Sequence, residues 1–514
     1  MKRWSVGSSP QMTHKTLSLF LVGWSLLNAA PPANARPLPL KENAWRLLRS
    51  ASVLQPELRM FIQPQFEEAF LNINPIGDSA RAEQIRQYQR RFKEPNRGVV
   101  SVKTKQADLF ADIGLQTDAL VRDGDGGGKR LAVLSLRALA GADFQNGWTA
   151  AFEIDSRIER GDADISPYLH ENDTGRYASS RTPNVLRSDL SWRRGVFRLT
   201  IGRQEANWGP GLRHGLILSK NAGPAPTLKG EALIGKARFT ALIASLIGPE
   251  TEGGSRAPKY LAAHRVEFSP APWLTAAVSE SVVWINQFDL KYLNPLDIFY
   301  LDTEPVHPDN RNLGIELSVF PARNLQLYAE ALIDDFQPQE GASAFKSWGT
   351  KGGARIGAFW TEPFQLKNAD VWAETLFINQ YAYTHKRAGA EYAHRGLHLG
   401  HPAGPDVLET AVRASYWWTA RVKSEAEWTR ARKGEGSLLK PHDPKGPSEW
   451  GSAGKLLSGV IETANRWTAA LEYSVVEGFF ARLAFSGVHR QNADHTPQKR
   501  AHSTQARLVL GYNN

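Results

Sequence analysis

The chain has 514 residues, with 62 Lys and Arg against 52 Asp and Glu, and its 16 Trp, 13 Tyr and 22 Phe are scattered through a sequence of mean hydropathy −0.39. Apolar residues so dispersed exclude a bundle of membrane-spanning helices, and the absence of cysteine excludes a disulfide framework. The modest positive excess suits an anionic polymer or lipid surface without requiring one.

Lys2, Arg3 and Lys15 precede the apolar run 17–27, and a small-residue series ends at Ala35. This order predicts a secretory signal peptide over 1–35, cut before Arg36. Residues 36–97 place apolar side chains three or four apart among helix formers, which predicts two or three short helices.

From about Val99 the apolar period becomes two, and 98–514 reads as one β domain. Leu313, Ile315, Leu317 and Val319 alternate with Gly314, Glu316, Ser318 and Phe320. After "PARN", Leu325, Leu327, Ala329, Ala331 and Ile333 alternate with Gln326, Tyr328, Glu330 and Asp334. Such hairpins carry one apolar and one polar face. Short turns alternate with long loops at 155–187, 286–311, 379–410 and 430–463. Trp192, Phe197, Phe268, Trp273, Phe320, Trp360, Phe364, Phe479 and Phe480 crowd the short turns, where an interfacial aromatic girdle would lie.

A bilayer admits a sheet only when it closes, because unpaired backbone is too costly in hydrocarbon. The predicted class is therefore all-β transmembrane: an antiparallel barrel of about 18 strands, from 99–121 through 214–228 to 505–512, behind a short N-terminal helical segment.

The segment "GRQEANWGPGLRHGLILSKNAGPAP" (202–226) resembles the signature of the capsule assembly Wzi family. "YLNPLDIFY", "DNRNLGIEL", "LYAEALIDDF" and "LGHPAGPD" follow in the family's order. The resemblance implies an outer-membrane barrel with an N-terminal helical bundle, acting as a lectin that helps fix capsular polysaccharide to the cell surface. It also implies a structural role for Gly202, Arg203, Trp208, Gly209, Pro210, Gly211 and Asn221. The chain departs from many outer-membrane barrels in ending "LVLGYNN", with Tyr512 short of the terminus. Within 201–228, Trp208 to Gly211 are expected in a turn at the outer mouth, with the strand resuming at "LRHGLILS". Arg203 is one step out of phase with inward Gly202, so either it lies near the rim or the alternation breaks there.

Sugar sites use aromatic faces with cationic and amide groups. Tyr300, Arg311, Trp348, Lys351, Trp450 and Lys455 supply those types from the loops. The expected partners are an acidic polysaccharide, outer-membrane lipid and lipopolysaccharide, with a polysaccharide export protein as a further candidate. A monomer without cofactor, metal or nucleic acid is expected.

Other chemistry finds weaker patterns. "GDGGGKRL" lacks the Ser or Thr of a phosphate-binding loop and leads into a strand, so it reads as a hairpin loop. His385, His394, His398 and His401 have a spacing that could hold zinc or copper, but alternation around them favours a polar loop or barrel rim. Asp302, Glu304, Asp309, Asp334 and Asp335 could form a glycosidase pair, yet no G-x-S-x-G elbow accompanies them. The alternative to a lectin is a barrel conduit for polysaccharide export; an outer-membrane hydrolase or acyltransferase comes third.

Overall fold

The protein is described from a computed structural model over residues 100–125, 127–166, 184–250, 256–299, 309–322, 324–335, 351–441, 457–474 and 478–513, with Glu83 in addition. The predicted signal peptide and, apart from Glu83, the predicted helical segment 36–97 lie outside these residues.

In chain order the strands are β1 (Val100–Lys103), β2 (Ala107–Gly124), β3 (Lys129–Phe144), β4 (Trp148–Gly161), β5 (Asn184–Arg194), β6 (Phe197–Gln204) and β7 (Ala225–Ile234). Next come β8 (Ala237–Glu250), β9 (Arg256–Ala271), β10 (Leu274–Ile285), β11 (Asn310–Ala322), β12 (Leu325–Asp335), β13 (Lys351–Thr361) and β14 (Ala369–Ile378). A two-residue ribbon, β15 (Ala393–His394) and β16 (Leu397–His398), interrupts the series. It resumes with β17 (Val407–Trp417), β18 (Val422–Lys433), β19 (Glu462–Ser474), β20 (Gly478–Gln491) and β21 (Arg500–Asn513).

Each long strand pairs antiparallel with the next, and β2 pairs with β21 from Gly114–Asn513 to Gly124–Ser503. The result is a closed barrel of 18 strands, β2–β14 and β17–β21. Closure leaves no sheet edge to satisfy. β1 is an additional short strand that pairs with β2 on the edge β21 takes further along.

The expected strand 99–121 is thus two strands, broken where Thr104 Oγ1 donates to the carbonyl of Ala107 at 2.8 Å. A larger correction concerns 214–228, where pairing resumes only at Ala225. Leu216, Ile217 and Leu218 are all buried, so an apolar run that reads as a strand is instead enclosed on every side. Its backbone bonds go elsewhere: Trp208 N donates to the Leu218 carbonyl at 2.9 Å, and Leu216 N to a carboxylate of β12.

The period of two sorts side chains between bore and outer wall. On β2, Leu109, Ile113, Leu115 and Val121 face out and are exposed, while Asp112, Asp118 and Leu120 are buried inside. Inward charges are paired along the wall, as in Arg265 with Glu316 (2.7 Å), Arg238 with Glu267 (2.8 Å) and Arg507 with Asp118 across the closing seam (2.7 Å). Phe197, Phe268, Trp273, Phe364, Phe479 and Tyr512 stand exposed at the short-turn end, as a girdle requires. Two expected girdle members turn inward instead. Phe320 packs in the bore with Phe359 and Trp372, and Phe480 covers Gly511, because each has the phase of the polar face.

Candidate functional site

The loop joining β6 to β7 (205–224) and the loop joining β14 to β17 (379–406) fold back into the outer end of the bore. Trp208, Leu216, Ile217, Leu218, Tyr383, Tyr392 and Leu399 from these loops form one core with inward Leu242, Leu261, Val283, Leu332 and Leu376 from the strands. Those strands, β8 to β14, are neighbours in the ring, so the packing joins both loops to that side of the mouth.

The two loops are joined to each other by hydrogen bonds to backbone carbonyls. Tyr383 Oη donates to the Leu216 carbonyl (2.5 Å), Ser219 N to the Leu399 carbonyl (2.7 Å), Ser219 Oγ to the Gly400 carbonyl (2.6 Å) and Asn221 Nδ2 to the His398 carbonyl (3.0 Å). A third loop joins through Asp406, which accepts from Gly436 N (2.8 Å) and Ser458 N (3.2 Å).

Beneath this core lies a charged latch. Arg355 of β13 is 1% exposed and forms ion pairs with Glu330 of β12 and, at 3.5 Å, Glu374 of β14. Arg355 Nη1 also donates to the His214 carbonyl (2.6 Å), and Glu330 accepts from Leu216 N (2.7 Å). Tyr328 Oη donates to Glu374 (2.7 Å) and accepts from Trp372 Nε1 (2.7 Å). Arg213 reaches Glu409 (3.1 Å) and Glu427 and stands 4.9 Å over the Trp372 ring. The wall therefore holds loop 205–224 through ionic groups that are themselves buried and paired, the condition on which buried charge is tolerated.

The signature residues make this approach possible. A Cβ at Gly211 would lie 2.4 Å from Arg355 Nη1, and one at Gly209, whose φ is 123°, would lie 2.8 Å from Glu330 Oε2. Trp208 is buried in the core and Asn221 is tied to the second loop. Pro210 lies between the two glycines in the same turn. Gly202 has φ 151°, and a Cβ there would lie 2.0 Å from the Ser188 carbonyl. Pairing on both sides of β6 runs through this glycine without a shift, so Arg203 keeps the outward phase and lies at the rim, one residue from the end of the strand. Its Nε is shut off from solvent, and its charge acts on His394 and Arg395 of the second loop.

The histidines do not assemble into a metal site; among the described residues no three potential ligands gather. His394 Nδ1 accepts from Ile247 N (2.9 Å), His385 Nδ1 from Arg387 N (3.1 Å) and His401 Nδ1 from Ala403 N (3.3 Å). Burial pushes His214 and His398 down to about 4, helped by Lys220, Arg213 and Arg355 at the first and Lys433 at the second. Burial and Arg395 push His394 down to about 3, and His401 also lies well below the usual imidazole range. They are neutral packing groups at pH 7.

Of the acids considered for catalysis, Asp302 and Glu304 lie outside the described residues. Asp309 is bound to Tyr292 and Arg311, and Asp334 accepts from Tyr383 N at 2.6 Å. Of the sugar-binding candidates, Tyr300, Trp348, Trp450 and Lys455 also lie outside. Lys351 begins β13 in the inward phase, whereas Arg311 on β11 has the outward phase, so these two stand on opposite faces of the wall. The latch residues Arg355, Glu374, Arg213 and Trp372 were not singled out by the sequence. The inward phase of β13 and β14 was a signal for three of them, Arg355, Trp372 and Glu374.

Residues 134–503 match the family model described as capsule assembly protein Wzi. The chain belongs to the capsule assembly protein Wzi family. Wzi of Escherichia coli, described as an outer membrane protein involved in group 1 capsule assembly and as a carbohydrate-binding β-barrel, shares the fold. It has 12% identity and a TM-score of 0.57, over 93% of this chain and 98% of its own. OpdO of Pseudomonas aeruginosa is also matched, at 11% identity and TM-score 0.45 over 80% of this chain and 98% of its own. OccK5 (OpdH) of the same organism follows at 11% and 0.44, over 78% and 97%. No curated protein matches the chain. Segment 208–216 forms the contact between mouth and latch in this barrel.

Proposed function

We propose that this Wzi-family barrel resides in the outer membrane and is a non-catalytic lectin that binds acidic capsular or other exopolysaccharide and helps anchor it at the cell surface. One observation carries the choice of anchoring over conduction: two interlocked loops enter the mouth and are fastened to a buried ionic latch on the wall. A polymer conduit needs a wide aqueous bore, and loops fixed inside the mouth narrow it. An export protein remains a proposed partner at the surface rather than along the bore, and the protein acts as a monomer.

The proposed sugar contacts are Lys351 at the inner rim together with Tyr300, Trp348, Trp450 and Lys455 of the outer loops. Arg311 is set apart from them on the outer wall. The test compares cell-bound and released polysaccharide in a deletion strain. Anchoring predicts unchanged synthesis with polymer lost to the medium, and a glycan pull-down by the purified barrel. Polymer trapped inside the cell, or a large single-channel conductance, would favour the conduit.

A further inference from the structure

Outward residues of the barrel are exposed almost everywhere, but not over β8–β10. Val278 of β10 is 53% exposed, whereas Val282, one outward step further plus one, is 0% exposed. Outward Ala262, Trp284 and Tyr260 are enclosed with it. The cover is the segment 286–299, which leaves the loop end of β10 and turns back over the outside of the wall. Tyr292 stacks 4.2 Å from Trp284, and Phe299 lies 4.3 Å from His264. Tyr292 Oη donates to Asp309, which ties the flap to the start of β11.

Two features give the flap a purpose. First, it shields polar groups: His264 of β9 and Glu280 of β10 face outward, paired at 3.1 Å, at a depth where bare hydrocarbon would be costly for them. Second, its far side is apolar. Leu290, Leu293, Leu296 and Ile298 point away from the barrel, and Leu296 is 84% exposed. No soluble loop needs four large aliphatic side chains in nine residues facing water. This surface runs on into the exposed belt of Val266, Phe268, Val278 and Ile315. A surface continuous with a lipid-facing belt has the same solvent.

We propose that the flap 286–299 lies in the outer leaflet and docks the acyl chains of lipopolysaccharide through Leu290, Leu293, Leu296 and Ile298. The assignment of leaflet rests on the outer-membrane orientation proposed above, with long loops outside. The flap then replaces a polar stretch of wall by an apolar one and gives the barrel a fixed lipid contact beside its mouth.

The test places a benzophenone photocrosslinking residue at Leu296 in the full chain, with Val278 as the belt control, and irradiates whole cells. The expected result is an adduct of lipopolysaccharide at both positions, detected by lipid A staining of the shifted band. Lipid adducts at Val278 but none at Leu296 would overturn the proposal, as would a dimer-sized or other protein adduct at Leu296. Phospholipid alone at Leu296 would overturn the leaflet assignment. Failure of Val278 to label lipid would instead sink the membrane reading of the barrel, and polysaccharide retention, measured separately, reports on the lectin reading.

Discussion

Tyr383 Oη donates to the main-chain oxygen of Leu216 across 2.5 Å, while His401 N donates to the same hydroxyl at 3.3 Å. One phenol thus pins both mouth loops. Tyr383→Phe leaves a buried carbonyl and a buried N–H without that partner, at a cost of about 1–3 kcal/mol. Hydrogen exchange should quicken across 212–218 and 379–406, with the strands unchanged. Equal quickening throughout the barrel would refute a local role.

Gly211 has no room for a methyl group beside Arg355, and the guanidinium is held by Glu330, Glu374 and the His214 carbonyl. Gly211→Ala should destabilise the mouth by about 1–3 kcal/mol through overpacking. The check is the temperature at which the folded band is lost in unheated-to-heated gel mobility, which should fall; Gly235→Ala, in a hairpin with nothing near its Cβ position, gives a comparison for φ strain alone.

Breaking the latch on one side should be worse than removing it. Glu330→Leu leaves the Arg355 charge short of its nearest partner inside the wall, with an expected loss of about 3–5 kcal/mol, whereas Glu330→Leu with Arg355→Met should recover a large part of it. Denaturant melts of the refolded barrel measure both. A double mutant that is as unstable as the two single losses added together would contradict the coupling.

Acid should loosen the mouth. His214, His394, His398 and His401 are pushed below the ordinary imidazole value of 6.5, so the unfolded loops bind more protons than the folded ones between pH 6.5 and about 4. Stability is therefore highest above pH 6.5 and falls as the pH drops through that window, levelling near 4 for His214 and His398. Exchange rates in 379–406 measured from pH 7.5 to 4.5, corrected for intrinsic exchange, should rise; His398→Gln should flatten the rise.

The polar phase of β11 and β12 was legible because alternation is a local property: each side chain's face follows from its neighbour's. Closing of the sheet followed from the cost of an unpaired edge in hydrocarbon, and the strand number was counted with the family resemblance in hand. The aromatic girdle was read less well. Phe320 and Phe480 were assigned by closeness to a turn, and phase decided otherwise. The run 214–219 failed for a different reason, since Leu216, Ile217 and Leu218 look alike whether one face or all faces are covered.

The sequence by itself determined a chain that must close into a barrel, and in 202–226 the family to which it belongs. Only the tertiary structure decided that this segment enters the bore, that Arg355 and Glu330 receive it, and that 286–299 wraps the outer wall. Those facts depend on strand register and on contacts between residues more than a hundred positions apart, as between Leu216 and Glu330. A local pattern carries no record of which distant partner satisfies it.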